Sequence, residues 1–260
     1  MADIKNDYAT GLISCYLSDS SGLTVDLHGT NTLTNNNTVT TGTSLGQGTT
    51  GDFDDASSQY LSVSDAVFDD LGTNYSISAR FELDDLSSIH TIVGKWGSGS
   101  ARKFILWVTT GGVVQFLWRN GASTAGTTAS IAGTISAGTT YVIGITFSTN
   151  QVSFYKDGVF VNTVSGQTDT SASKVSDLNI GSQDGTSRFI DGRVNQVVIY
   201  STSISAAYHT ALGVSPGVPY EDAPATSIKE INGLAQASVK EVNGLAIASI
   251  KSMNGLSNVS

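Results

Sequence analysis

The sequence predicts an all-β protein, a sandwich of antiparallel sheets, and three observations carry that expectation. Only 13% of the 260 residues are charged, and Gly, Ser and Thr abound where Glu, Lys and Arg are few, which disfavours long surface helices. Apolar residues alternate with polar ones over short runs, the period of a half-buried strand. Turn residues in TTGG, STN, KDG and QDG separate those runs at the spacing of a sandwich.

Taken in chain order, the first apolar run is Leu12 to Leu17, and it holds the single cysteine, Cys15. One cysteine excludes an intrachain disulfide, and these flanks make it a small apolar filler. YSISARFEL (Tyr75 to Leu83) sets Ile77, Ala79, Phe81 and Leu83 against Ser78, Arg80 and Glu82 and so predicts a strand with one buried face. KFILWV, VVQFLWR, YVIGITF, QVSFYK and VNQVVIY predict five more. In SISAAYHTALG, Ser203 or Ser205 can cap a short helix that Gly213 ends. The only prolines, Pro216, Pro219 and Pro224, cluster within residues 213–225, so that stretch reads as a linker after a sandwich spanning 1–212.

Residues 226–260 repeat one eleven-residue phrase three times: SIKEINGLAQA, SVKEVNGLAIA, SIKSMNGLSNV. Asn232-Gly233, Asn243-Gly244 and Asn254-Gly255 each supply a two-residue hairpin signal, because both residues accept the positive φ of a type I′ turn. The nine-residue runs between them predict one strand apiece, hence a small β-meander or β-roll that is marginal alone. Its apolar set is Ile228, Ile231, Leu234, Val239, Val242, Leu245, Ile247, Ile250, Met253 and Leu256. Unpaired strand edges of this kind are satisfied by another chain, so the tail is expected to attach the protein to a partner or to make a homo-oligomer, a trimer by first expectation.

The net charge of −9 argues against a nucleic-acid partner, which needs clustered Lys and Arg. The first residues lack the basic start and unbroken apolar stretch of a secretory signal, and no segment approaches a membrane span of about 20 apolar residues.

YLSDSSGLTVDLHGTNTLT, FDDASSQYLSV, VSFYKDGVFV, LNIGSQDG and GRVNQVVIYSTSIS follow one another over most of residues 8 to 212. In that order they resemble the successive signatures of laminin G-like domains in the concanavalin A-like lectin and glucanase superfamily. The resemblance implies a jelly roll of two curved antiparallel sheets, often with a carbohydrate- or protein-binding surface and sometimes a structural calcium. For calcium it points to Asp19 and Asp26 in the first motif and to Asn195 in the last, where relatives usually carry acidic residues and this chain has Asn195 and Gln196. The glucanases use carboxylates patterned Glu-x-Asp-x-x-Glu. FELDDLSS offers Glu82 and Asp84 but a serine in the third place, and His28, His90 and His209 lack partners for a triad, so no catalytic residue is expected.

Glycan binding asks for aromatic faces and a few polar groups. Alternation turns Trp107 outward if Phe104 and Leu106 face the core, and turns Tyr155 outward if Val152 and Phe154 do, so Trp107 and Tyr155, with Arg119, are the candidate platform, while Trp118 is assigned to the core. The repeats also resemble short Ile-Lys-x-x-Asn-Gly-Leu repeats near the ends of phage virion proteins. The expectation is therefore a non-catalytic decoration or fibre protein, assembled in the host cytoplasm, with an outward lectin-like domain for cell-surface glycans and a tail bound to itself or to a capsid or tail protein. The alternatives are a purely structural capsid or tail protein and, less favoured, a glycoside-active enzyme. An extracellular surface reached by a non-classical route is the alternative location.

Overall fold

The computed structural model describes residues 4–17, 22–46, 48–64, 71–97, 101–119, 126–148, 150–167 and 176–213, and within the tail 230–231, 234–235, 241–242, 245–246, 252–253 and 256–257. A short helix α1 (Ile4–Asp7) precedes β1 (Leu12–Tyr16), β2 (Thr34–Asn36), β3 (Thr40–Thr41), β4 (Gly51–Phe53) and β5 (Tyr60–Val63). Next come β6 (Tyr75–Leu83), β7 (His90–Trp96), β8 (Arg102–Val108), β9 (Val114–Arg119) and β10 (Gly126–Ser130). β11 (Tyr141–Ser148), β12 (Asn150–Lys156), β13 (Val159–Gln167), β14 (Leu178–Ile180), β15 (Gly192–Tyr200) and α2 (Ala206–Gly213) complete the sandwich.

Two antiparallel sheets face each other. One has eight strands, in the order β13-β12-β11-β6-β15-β4-β3 with β1 also paired to β15; the other has seven, in the order β10-β9-β8-β7-β14-β5-β2. Period-2 patterning sets the register. Ile77 and Ala79 of β6 lie opposite Ile145 and Ile143 on one side and Ile199 and Val197 on the other, and all six side chains enter one core. β15 would lose that phase, because Val194 and Val197 are three apart. A bulge between Asn195 and Val197, with Gln196 at φ 42°, restores it and lets both valines face inward.

The core is closed by aromatic rings from both sheets. Tyr75 of β6 stacks on Phe147 of β11 at 5.2 Å, and Trp118 of β9 meets Phe147 edge-on at 5.3 Å. Trp118 is wholly buried, as the alternation of β9 requires, and burying a side chain of this kind contributes roughly 1.5–3 kcal/mol. A second apolar cluster, of Ile4, Leu12, Cys15, Val198, Tyr200, Ile204 and Leu212, joins α1, β1, β15 and α2 on the outer face of the eight-stranded sheet. Cys15 is a buried thiol there, outside any disulfide.

In the tail, each Asn-Gly pair stands between two residues that face each other across an antiparallel ladder: Ile231 and Leu234, Val242 and Leu245, Met253 and Leu256. The hairpin reading of those dipeptides therefore matches the structure. The meander reading turns on residues 236–240 and 247–251, which lie outside the described residues. Each hairpin is its own two-stranded sheet, with strands of two residues: β16 (Glu230–Ile231) with β17 (Leu234–Ala235), β18 (Glu241–Val242) with β19 (Leu245–Ala246), and β20 (Ser252–Met253) with β21 (Leu256–Ser257). Ile228, Val239, Ile247, Ile250 and the linker 214–225 lie outside the described residues.

Candidate functional site

The outer face of the seven-stranded sheet carries a small apolar strip of its own. Cross-strand pairing aligns Thr91, Trp107 and Gln115 in one row and Gly94, Ile105 and Leu117 in the next. Trp96, Ile105, Trp107 and Leu117 pack together with Ile89 at the edge. Trp107 donates its indole N–H to Gln115 Oε1 at 2.9 Å, which fixes the ring in the sheet's outer plane. Two arginines cap the strip: Arg188 lies 4.3 Å above the Trp107 ring and Arg102 lies 5.2 Å above that of Trp96.

Beside the Arg188–Trp107 stack, three loops leave a shallow cleft of about 390 Å³ lined by Asp55, Ser88, Ile89, Arg188 and Phe189. The β4–β5 loop supplies Asp55, the β6–β7 loop supplies Ser88 and Ile89, and the β14–β15 loop supplies the rest. That last loop is tied to itself: the Asp184 carboxylate accepts bonds from Thr186 and Ser187, Arg188 Nη1 donates to Gln183 Oε1 at 2.6 Å, and Ile190 N donates to Gly181 O. It is also fastened to β7, through Thr91 N to Arg188 O and Asp191 N to His90 Nδ1. Phe189 leans on Tyr60 at 6.1 Å. A guanidinium, an aromatic ring, a hydroxyl and a carboxylate thus converge from loops held by two rigid sheets, an arrangement suited to binding a polar ligand with an apolar face. A second cleft of about 270 Å³, lined in part by Trp96, Ser176, Asp177, Asn179 and Asp184, lies on the other side of the same loop.

A family model described as the concanavalin A-like lectin/glucanases superfamily matches residues 54–208, more than half of the chain. The chain belongs to that superfamily. No curated protein sequence matches it significantly. Among solved structures, domain 4 of AbnA, a GH43 extracellular arabinanase from Geobacillus stearothermophilus solved with arabinotriose, is similar at 17% identity and a TM-score of 0.58 over 78% of this chain and 98% of that one. The binding domain of botulinum neurotoxin DC, solved in complex with SialylT, is similar at 14% identity and a TM-score of 0.58 over 84% of this chain. The receptor-binding domain of the mosaic C/D serotype follows at 13% identity and 0.62 over 78%. This chain spans about half the length of the two neurotoxin domains, 53% and 50%. At these identities the likeness is one of fold, the superfamily's two-sheet sandwich. The family match contains the whole cleft and stops short of the repeats.

Members of the superfamily need not share a site, and the expected platform does not form here. Alternation is right about direction, since Trp107 and Tyr155 both point away from the core. They point from different sheets, however, β8 and β12, and so to opposite faces of the sandwich. Each is also covered, at 8% exposure. Arg188 sits on Trp107, and His209 of α2 stacks on Tyr155 at 4.0 Å. Arg119 ends β9 opposite Gly126, and its side chain lies outside the described residues.

The calcium set fares similarly. Asp19 lies outside the described residues. Asp26 is buried, and its carboxylate accepts five bonds: from Cys15 N, His28 N and Gly29 N on Oδ1, and from Ser14 Oγ and Asn31 N on Oδ2. Those donors occupy the lone pairs a cation would need. Asn195 donates its Nδ2 to Leu17 O and Thr49 O, both at 2.8 Å, and so cross-ties β1, β15 and the β3–β4 loop. Asp26 and Asn195 brace the rim, and the Asp26 carboxylate is filled by protein donors. Glu82 is likewise engaged, ion-paired to Arg193 on the adjacent strand and accepting from Thr140 Oγ1 at 2.8 Å. Asp84 follows the last residue of β6, and its N–H donates to Asp191 O.

The sequence signal for this cleft lies in the loop QDGTSRFID, beyond its QDG turn. Its cation, aromatic ring and carboxylate within four residues, Arg188, Phe189 and Asp191, on a loop rather than a strand, are the signal that was available.

Proposed function

We propose that the sandwich is a non-catalytic glycan-binding module and that the Asp55–Ser88–Ile89–Arg188–Phe189 cleft is where a sugar seats. The observation that carries this is the cleft's mixture of an aromatic edge, an apolar wall and oriented polar groups on rigidly held loops. The arabinotriose complex of the similar arabinanase domain supports the ligand class, and the engagement of Glu82 with Arg193 supports the absence of hydrolysis. An array of immobilised glycans probed with the full-length protein tests the reading. At least one glycan should bind, and Phe189→Ser should weaken it about tenfold or more with the thermal midpoint unchanged. An empty array, or hydrolysis of a bound glycan, refutes it.

In this proposal the tail repeats are the attachment element of a virion-associated protein, joined to copies of the chain or to a capsid or tail protein. Supporting it are the resemblance of the repeats to those of phage virion proteins and the three hairpins, each a separate two-stranded sheet among the described residues. Gly213 packs on the Asp157–Gly158 turn, so the chain leaves the sandwich beside Val159 and Phe160, the exposed large hydrophobic residues among those described. A purely structural role is the second reading, favoured by the covering of both Trp107 and Tyr155.

A further inference from the structure

The proposed cleft has a pronounced sign of charge. Asp55 in its wall brings its carboxylate within 4.8 Å of those of Asp54 and Asp191. Partial burial, then the charges of Asp55, Asp84 and Asp85, hold the Asp191 carboxyl above the ordinary aspartate range. His90, behind them, is no free counter-charge: its Nδ1 accepts the Asp191 N–H and its Nε2 faces Asp85 at 3.3 Å. One guanidinium, that of Arg188, lines the cleft. It lies on Trp107, donates from Nη1 to Gln183 and has Asp184 as an electrostatic partner, so the carboxylates around it outnumber its charge.

Resting on the glycan reading above, we infer that this cleft selects glycans without acidic groups, prefers a sugar that carries a free amino group, and rejects sialylated, sulfated and uronate-containing ones. An incoming carboxylate would lose water beside Asp55 and its neighbours. A pair with Arg188 would use the guanidinium N–H groups that the Trp107 stack and the Gln183 bond leave open, and would form against the repulsion of Asp55, Asp54, Asp191 and Asp184. An ammonium in the same position gains what the carboxylate loses. A neutral ring needs neither, since Phe189 and Ile89 offer an apolar wall to its C–H face while Ser88 and Asp55 can bond its hydroxyls.

Matched ligand pairs test this with the full-length protein: chitotetraose against its fully deacetylated form, and lactose against sialyllactose, each at low and at physiological salt. The deacetylated sugar should bind roughly 2- to 5-fold more tightly at low salt, the range of an exposed ion pair, and the preference should shrink with added salt. The Asp55→Asn/Asp191→Asn double variant, with its fold checked by circular dichroism, should bind both chito-oligosaccharides equally. Sialyllactose binding as well as lactose, or an amino preference that survives in the double variant, overturns the inference while leaving the glycan reading in place. So does sugar binding that neither Phe189→Ser nor the double variant alters, because the sugar then sits elsewhere. Failure of every glycan on a broad array overturns the glycan reading itself, and this selectivity with it.

Discussion

Lowering the pH from about 7.5 to about 5 protonates His209 in the unfolded chain before it reaches the ordinary carboxylate range. This imidazole is the pin that holds α2 on the outer face of the eight-stranded sheet. Its Nε2 lies 2.8 Å from Thr146 Oγ1, its ring stacks on Tyr155, and the missing Cβ of Gly144 makes room for it, since a methyl there would stand 2.3 Å from Nδ1. Among the described residues Nδ1 has no hydrogen-bond partner, so a second ring proton would be buried without an acceptor. Burial accordingly pushes the pKa down from 6.5 to about 3. Between those values the unfolded chain binds a proton that the native one refuses. The stability due to the neutral ring is therefore full above the unfolded pKa and drains away as the pH falls toward the folded one.

At about pH 5 the unfolded imidazole is 1.5 units below its pKa and the native one is still neutral, which corresponds to roughly 2 kcal/mol lost. For a domain of this size that is a drop of about 4–8 °C in Tm. Urea denaturation at the two pH values, on the wild type and on His209→Gln, reads the effect. Gln can keep a bond to Thr146 but cannot charge. The variant should start less stable at neutral pH and lose about 2 kcal/mol less on acidification. If the two proteins lose the same stability, His209 is not the acid-sensitive group and the account of α2 docking is wrong.

Trp107→Ala should cost about 3 kcal/mol or more, because the ring is buried between its sheet and Arg188; a near-neutral change in denaturant midpoint would show it to be a surface residue after all. Asp26→Ala should cost about 3 kcal/mol, equally with calcium and with a chelator, since five protein donors lose their acceptor; a calcium-dependent loss would reinstate the ion. Asp191→Asn should raise the thermal midpoint at neutral pH. The raised carboxyl is a penalty of the ionised form, fully present above the folded pKa and gone below the unfolded one, so the gain should fade on acidification. Deleting residues 226–260 should leave a folded sandwich of lower oligomeric order by light scattering; a truncated protein that unfolds, or an unchanged mass ratio, counts against the tail as the assembly element.

Much of the fold was legible because local period and global register agree. YSISARFEL predicts Tyr75–Leu83 residue for residue, and Ser205 accepts the first bonds of α2, from Tyr208 and His209, before Gly213 ends it. The KDG turn reads correctly for the same reason: Asp157 and Gly158 both take the positive φ that a two-residue hairpin demands. Failure comes where a rule of period two meets an insertion. The bulge at Gln196 lets Val194 and Val197 face the same way, and alternation alone assigns them to opposite faces. In the tail the turn signal is strong enough to be read, because each Asn-Gly pair is flanked by residues that face each other across a ladder.

The candidate site was less legible, and Trp107 shows why. Alternation tells which side of the sheet a residue takes; it does not tell what lies on that side. Trp107 is covered by Arg188, eighty-one positions later, and Tyr155 by His209, on a helix that crosses the back of its sheet. The cleft joins Asp55, Ser88 and Arg188 from three loops whose spacing in the chain follows no motif. An outward aromatic on a strand is therefore a weaker sign of a sugar platform than a loop that couples a cation, a ring and a carboxylate. On a strand, a neighbouring element gains by burying the ring. On this loop, Phe189 stays partly open while Arg188 beside it lies on Trp107.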